Sequence, residues 1–196
     1  NNDGCIISRS NEAKNLGIPM GAPEFKFREV IKQHNIKVFS SNYALYGDLS
    51  QRVMKILENF CSNVEVYSID EAFLNFDGMN LADAHLYGLE IQKKLLKWLS
   101  IPVGIGFAPT KALAKLANRI AKKFPERTQG VYVMDTEEKR IKALKWTKIE
   151  DVWGIGYQLT KKMHYKKILT AYDFTLPQNE AFIKKVFCKN SFTNKQ

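Results

Sequence analysis

The chain has 196 residues, 45% of them hydrophobic, and 30 Lys and Arg against 20 Asp and Glu, a formal net charge of +10. That length buries one good core and a second small one, so two modules are expected, and the excess of cations points to a polyanionic partner. No apolar run reaches the roughly 18 residues that a membrane span needs and no signal-peptide pattern opens the chain, so a soluble cytoplasmic protein with no membrane partner is expected. The three cysteines, Cys5, Cys61 and Cys188, have no metal-ligand spacing to His34, His85 or His164, and fit a reducing compartment.

In chain order, Cys5 to Ser8 reads as a short strand, followed by a helix from Ser10 that stops at Gly17 and Pro19. Phe25 to Gln33 reads as a second short helix and Ile36 to Ser41 (IKVFSS) as a strand. From Tyr43 the apolar residues Leu45, Leu49, Val53, Ile56, Leu57 and Phe60 recur at one face of a helix. Two strand-like runs follow, Val64 to Ser68 and Ala72 to Phe76, broken by Asp70 and Glu71, which a tight hairpin places at its edge or tip. Ala84, Tyr87, Gly88, Ile91, Leu95 and Trp98 form the next helical stripe, with Gly88 permitting close approach to a neighbour. Ile101 to Ala108 reads as a strand, and Leu113, Leu116, Ala117, Ile120, Ala121 and Phe124 mark the apolar face of a third long helix. After a last strand, Gln129 to Met134, the composition turns to short lysine-rich helices, with a boundary near Asp135. Together the elements give an α+β fold with helices packed on one side of an antiparallel or mixed sheet. From Glu137 onward there are 13 Lys and Arg against 6 acids, so +7 of the charge lies in the last 60 residues, where a polyanion is expected to dock.

Three stretches carry chemistry. Asp70 and Glu71 sit between runs that otherwise seek a core, and two adjacent, partly buried carboxylates cost on the order of several kcal/mol per ion unless a counter-charge meets them. A hard divalent cation such as Mg²⁺ does so; an ordinary polar turn is the bland alternative. Opposite the apolar face of the third helix, Lys111, Lys115, Arg119 and Lys122 form a basic stripe suited to phosphates or simply to solvent. In DVWGIGYQLTKKM the Gly154-Ile155-Gly156 turn enters a helix, offering backbone N–H groups to an anion, with Lys161 and Lys162 following. This reads as a helix-hairpin-helix that grips duplex backbone without reading sequence; Leu159 stands where a dinucleotide-binding G-x-G-x-x-G would have its third glycine.

NNDGCIISRSNEAKNLGIPMGAPEFK, FSSNYALYGDLSQRVM, VEVYSIDEAFLNF, VGIGFAPTKALAKLANRIAKK and DVWGIGYQLTKKM, in that order, resemble the Y-family translesion DNA polymerases of the UmuC type, from Asn1 to about Ala181. The resemblance implies fingers at 1–38, a palm at 39–134 and a helical thumb with the helix-hairpin-helix at 135–196. It makes Asp70 and Glu71 catalytic carboxylates that hold two Mg²⁺ ions and puts Lys122 on the incoming triphosphate, while the basic stripe and the glycine turn described above supply Lys115, Arg119, Gly154, Ile155, Gly156, Lys161 and Lys162 as the candidate DNA contacts. Asn11 and Lys14 stand where many relatives carry a Tyr and Arg pair on the triphosphate; Lys14 keeps the charge and Asn11 does not keep the aromatic ring. Primer-template DNA and dNTPs are the implied substrates, and a UmuD-like accessory subunit, a recombinase filament and a sliding clamp the implied partners. The chain opens NNDGC without Met and closes CKNSFTNKQ without a helix or strand signal, so it reads as a fragment. The family's first metal-binding Asp, its steric gate and its little finger are then expected outside it, with Asp3 or Asp77 as stand-in ligands if the fragment were active. A metal-dependent nucleotide cyclase and a non-catalytic DNA-binding repair factor are the alternatives.

Overall fold

The computed structural model describes residues 4–78 and 83–191. The chain forms two compact units, Asn1–Ser50 and Gln51–Gln196.

In the first unit the expected strand at Cys5 is reduced to a single antiparallel bridge between Cys5 and Pro23, flanked by backbone bonds from Ile6 to Ala22 and from Gly21 to Ile6. Helix α1 (Asn11–Asn15) is capped by Ser10, whose hydroxyl accepts from the Ala13 N–H at 3.3 Å, and it ends at Gly17 with φ +80°. A 3₁₀ turn at Glu24–Phe27 precedes α2 (Arg28–Gln33). The strand expected at Ile36 to Ser41 is absent: among the described residues it has no ladder partner, and Val38 and Phe39 are exposed. β-branched and aromatic residues favour a strand only where neighbours cover them. Helix α3 (Tyr43–Leu57) spans the division between the units. Its apolar stripe is buried only in the second half, at Met54, Ile56 and Leu57, whereas Leu45 is exposed.

In the second unit β1 (Val64–Val66) and β2 (Ala72–Leu74) form an antiparallel hairpin with Val64 opposite Leu74 and Val66 opposite Ala72. Helix α4 (Ala84–Leu99) starts on Asp83, whose carboxylate accepts from the Leu86 N–H, and buries Ile91 and Leu95. Trp98, expected on the buried stripe, is exposed, and its ring takes the Lys94 ammonium at 4.9 Å. Strand β3 (Ile105–Phe107), helix α5 (Lys111–Lys123), the short α6 (Pro125–Thr128) and β4 (Val131–Val133) form a crossover unit in which β3 and β4 pair in parallel. Two close approaches need glycine. A Cβ on Gly88 would meet Val131 Cγ1 at 2.6 Å, and one on Gly106 would meet the Asn118 backbone N at 2.2 Å, so β3 lies directly against α5.

Helices α7 (Glu137–Trp146), α8 (Tyr157–Tyr165), α9 (Ala171–Thr175) and α10 (Glu180–Ser191) complete the second unit. Helix α10 carries Cys188 to Ser191, where the sequence shows no helix signal, because Phe182, Ile183 and Val186 earlier in it join a core with Ile149, Ile155, Met163 and Ile168. A second core gathers Met54, Ile56, Leu57, Phe60, Ile91 and Leu95, with Val64, Ala72 and Leu74 of the hairpin packed against it. A third joins Ala117 and Ile120 of α5 to Met134 and Ala143. No helix among the described residues is long and apolar enough to cross a membrane.

Candidate active site

The acids sit where the hairpin pattern puts them. The carbonyl of Glu71 accepts from the N–H groups of Tyr67 and Ser68, both at 3.0 Å, which closes the turn and leaves Asp70 exposed at its tip. The Ser68 hydroxyl donates to Asp70 Oδ1 at 2.6 Å, a charge-assisted length, so one oxygen of Asp70 is held and the other has no partner among the described residues. Glu71 is half-buried and accepts from Lys115 Nζ at 2.9 Å across 44 residues of chain. A cation does wait for Glu71, and it is a lysine of α5. Ile69, an apolar residue of the same turn, is exposed beside them.

The basic stripe of α5 is largely consumed by acids of other elements. Lys111 pairs with Glu65 of β1, Lys115 with Glu71, and Arg119 with Asp151 at 2.7 Å. Lys122 has no carboxylate partner among the described residues; its stem lies over Gly104, and it lines an open hollow of about 380 Å³ with Arg119, Lys123, Trp146, Lys148 and Asp151. That is a cation-rich recess with one acid, and the acid is already paired.

Tyr67, Phe73 and Trp153 were not singled out by their sequence, yet their rings converge on the same place. Tyr67 and Trp153 meet edge to face at 5.4 Å, Tyr67 and Phe73 at 5.6 Å, and Trp153 Nε1 donates to Tyr67 Oη at 3.1 Å. The Lys115 ammonium lies 4.7 Å from the Tyr67 ring centre and 5.2 Å from that of Trp153. The available signal was the position of Trp153, one residue before Gly154.

The hairpin begins with a 3₁₀ turn at Ile149–Asp151 and enters α8 through Gly154, at φ +90°, and Gly156, the N-cap residue. A φ of that sign strains any L side chain, which accounts for the first glycine. The Ile155 side chain is buried, and its N–H donates to the Val152 carbonyl at 3.0 Å. Among the described residues the N–H groups of Gly154 and Gly156 have no acceptor, and no side chain caps α8. Lys161 and Lys162 are exposed, with Lys161 over the Tyr157 ring at 4.3 Å, while Leu159 and Met163 turn inward as their spacing predicts. The exposed glycine turn and the lysines thus offer anion contacts on one helix entry.

In the first unit, Lys14 Nζ donates to Asn11 Oδ1 at 3.2 Å, so these two residues are brought together on the exposed face of α1. Asp3 lies outside the described residues; Asp77 sits in a turn, its N–H donating to Asn75 Oδ1. Among the described residues no cluster of three His, Cys, Asp or Glu is assembled. Asp70 and Glu71 are hard oxygen donors of the kind Mg²⁺ takes, one or two carboxylates at a time with substrate phosphates and water. The donor set therefore suits Mg²⁺ as a partial site.

Paired carboxylates at a hairpin tip beside a basic helix, with an exposed glycine turn in the same unit, mark the site of this α+β chain. The chain belongs to the impB/mucB/samB family, which it matches over residues 1–119. It is 45% identical over 188 residues to UmuC of Salmonella typhimurium, covering 95% of this chain and 44% of that protein. It is 29% identical over 162 residues to DNA polymerase IV of Saccharolobus solfataricus, covering 82% of this chain and 44% of the relative. A solved Y-family DNA polymerase chimera, Dbh-Dpo4(243-245)-Dbh, superposes with a TM-score of 0.74 at 26% identity, covering 93% of this chain and 51% of that one. The chain thus spans about half the length of the relatives it matches.

Proposed function

We propose that the chain is the catalytic portion of an error-prone Y-family DNA polymerase of the UmuC type, extending a primer past damaged template in the SOS response. Its substrates are primer-template DNA and dNTPs, and its regions are fingers (1–38), palm (39–134) and thumb (135–196). The observation that carries this reading is the pair Asp70 and Glu71 at the hairpin tip, in a chain of this family, in one unit with an exposed glycine turn.

Asp70 and Glu71 would be the carboxylates that hold two Mg²⁺ ions. Bound there, the ions supply Lewis-acid stabilisation of the attacking and leaving oxygens of a phosphoryl transfer. The protein's own groups do the rest. The Ser68 hydroxyl fixes one oxygen of Asp70, so the other is presented outward. Lys14 and Lys122, with Asn11 beside Lys14, bind the triphosphate and offset charge that grows on it. Gly154 and Gly156 donate N–H groups to the duplex backbone, Ile155 anchors the turn in the core, and Lys161, Lys162, Lys115 and Arg119 add charge along the DNA. In the cytoplasm the whole protein would work with a UmuD-like subunit, a recombinase filament and a sliding clamp.

A non-catalytic DNA-binding repair factor is the second reading, favoured by one observation: Glu71 already has a cationic partner in Lys115. Calorimetric titration with Mg²⁺, beside duplex binding, separates the two. Cation uptake that Asp70→Asn and Glu71→Gln each abolish while both variants keep a cooperative melt supports the polymerase. Full duplex binding with no cation uptake supports the repair factor, and failure to bind primer-template at all would leave only a nucleotide cyclase.

A further inference from the structure

Several ion pairs join residues three or four apart in sequence: Arg28 with Glu24, Lys139 with Asp135, Arg140 with Glu137 and Lys184 with Glu180. The pair between Lys115 and Glu71 is of another kind, since it ties α5 to the turn that carries the carboxylates. Its lysine is only 24% exposed and is also enclosed by the faces of Tyr67 and Trp153. Trp153 is itself bonded to Tyr67 and adjoins Gly154. Lys115 thus holds Oε2 of Glu71, one of the two oxygens a metal would need.

We propose that Lys115 is the positioning residue of Glu71, holding its carboxylate in place of a divalent cation, and that Tyr67 and Trp153 form a cage that sets how readily the two exchange. The inference rests on the reading of Glu71 as a cation ligand. A cation ligated at about 2.1 Å by Glu71 lies within about 5 Å of an ammonium still bonded to that carboxylate. Like charges at that separation repel strongly in a half-buried setting, so cation and ammonium exclude one another. The ammonium displaced from Glu71 is then available to a phosphate oxygen. Cation arrival thereby converts a neutralised lysine into an anion contact next to the hairpin, and phosphate binding and cation binding assist each other equally.

The test reads Lys115 directly, by acetylation with a water-soluble active ester and mass spectrometry. Lys111 and Lys139, both ion-paired elsewhere, serve as internal controls. In cation-free protein Lys115 is expected to react slowly, and Glu71→Gln to accelerate it roughly five-fold, the equilibrium factor of one modest ion pair. Saturating Mg²⁺ is expected to do the same in the unaltered chain and nothing further in Glu71→Gln, with the controls unmoved. Trp153→Leu removes one wall of the cage and is expected to lower the Mg²⁺ midpoint by about two- to five-fold, the factor of an exposed cation–π contact; a purely structural Trp153 would leave the midpoint where it was. Equal protection of Lys115 with and without Mg²⁺, while calorimetry registers uptake that Asp70→Asn abolishes, overturns the exchange and leaves the polymerase reading standing. An unmoved midpoint in Trp153→Leu overturns the cage. Absence of any Mg²⁺ uptake overturns the metal reading and the exchange with it. The titration of the unaltered chain decides the exchange even if a variant fails to fold.

Discussion

Gly156→Val separates grip from packing. A Cβ built on Gly156 meets nothing within 4 Å, and its backbone is ordinary extended conformation at φ −86° and ψ 178°. The substitution therefore meets no clash in the free protein. Its folding cost is that of a poor N-cap, about 1 kcal/mol or less. For a chain of this size that is a Tm loss of roughly 2–4 °C. A bound phosphate changes the situation, because the same open space is where the backbone of the DNA would come to the N–H of Gly156. Loss of one charge-assisted hydrogen bond is worth about 1.5–3 kcal/mol, or roughly a 10- to 150-fold weaker duplex affinity. The loss should be nearly the same for every sequence, since only backbone is held. Fluorescence anisotropy with a labelled primer-template at several salt concentrations, beside a thermal melt, measures both. Replacing Lys161 and Lys162 with Ala should flatten the log-log salt slope by roughly 0.9 for each phosphate that is no longer neutralised. An unchanged affinity for both variants would refute the hairpin as the duplex grip and shift the DNA to the hollow around Lys122.

Three other outcomes follow from the packing and the charges. Gly106→Ala drives a Cβ to 2.2 Å from the Asn118 N and 2.4 Å from the Ala114 carbonyl, so α5 must shift, and overpacking of this kind costs about 1–3 kcal/mol or more in a thermal melt. Asp70→Asn should leave the melt unchanged because Asp70 is exposed, whereas Glu71→Gln should lower stability by up to about 1 kcal/mol through the loss of Lys115. Asp173 closes a capping box: burial raises its pKa, but the N–H groups of Leu169 and Thr170 and the Thr170 hydroxyl outweigh burial and hold it below the usual range. Its contribution is thus present above the ordinary carboxylate pKa and is lost as pH falls through the depressed one; melts between about pH 6 and 2 should show an acid loss that Asp173→Ala lacks.

Much of the second unit is legible because its signals are local. The stripe from Leu113 to Phe124 repeats at helical spacing, and the acids interrupt two strand-like runs where a hairpin tip must fall. Gly88 announces a close approach without naming Val131 as the neighbour. The misses are all matters of partner. Ile36 to Ser41 has strand composition but no ladder, Trp98 has the spacing of a buried residue and sits in solvent, and α10 continues through Ser191 on the strength of a core that its last residues do not reveal. At the candidate site the chemistry-bearing types were visible and their mates were not. A helical face of Lys111, Lys115 and Arg119 reads as free charge because Glu65, Glu71 and Asp151 lie 46, 44 and 32 positions away, and spacing says nothing of who faces whom. The ring cluster of Tyr67, Phe73 and Trp153 escapes for the same reason.

Those three pairs also constrain how the protein can vary. Exchanging the signs at Lys111 and Glu65, or at Arg119 and Asp151, restores attraction in each case, so the doubly reversed chains should fold where the single reversals falter. Such positions are free to drift together. The middle pair is not, on the proposed reading: reversing Lys115 and Glu71 would satisfy the fold equally well but install an ammonium where the proposed metal ligand stands. Of three rungs with the same chemistry, Lys111–Glu65 is tied only to itself, Arg119 also carries charge proposed to face the DNA, and Glu71 is the proposed metal ligand, so a library of paired charge reversals would tell them apart without any knowledge of the reaction.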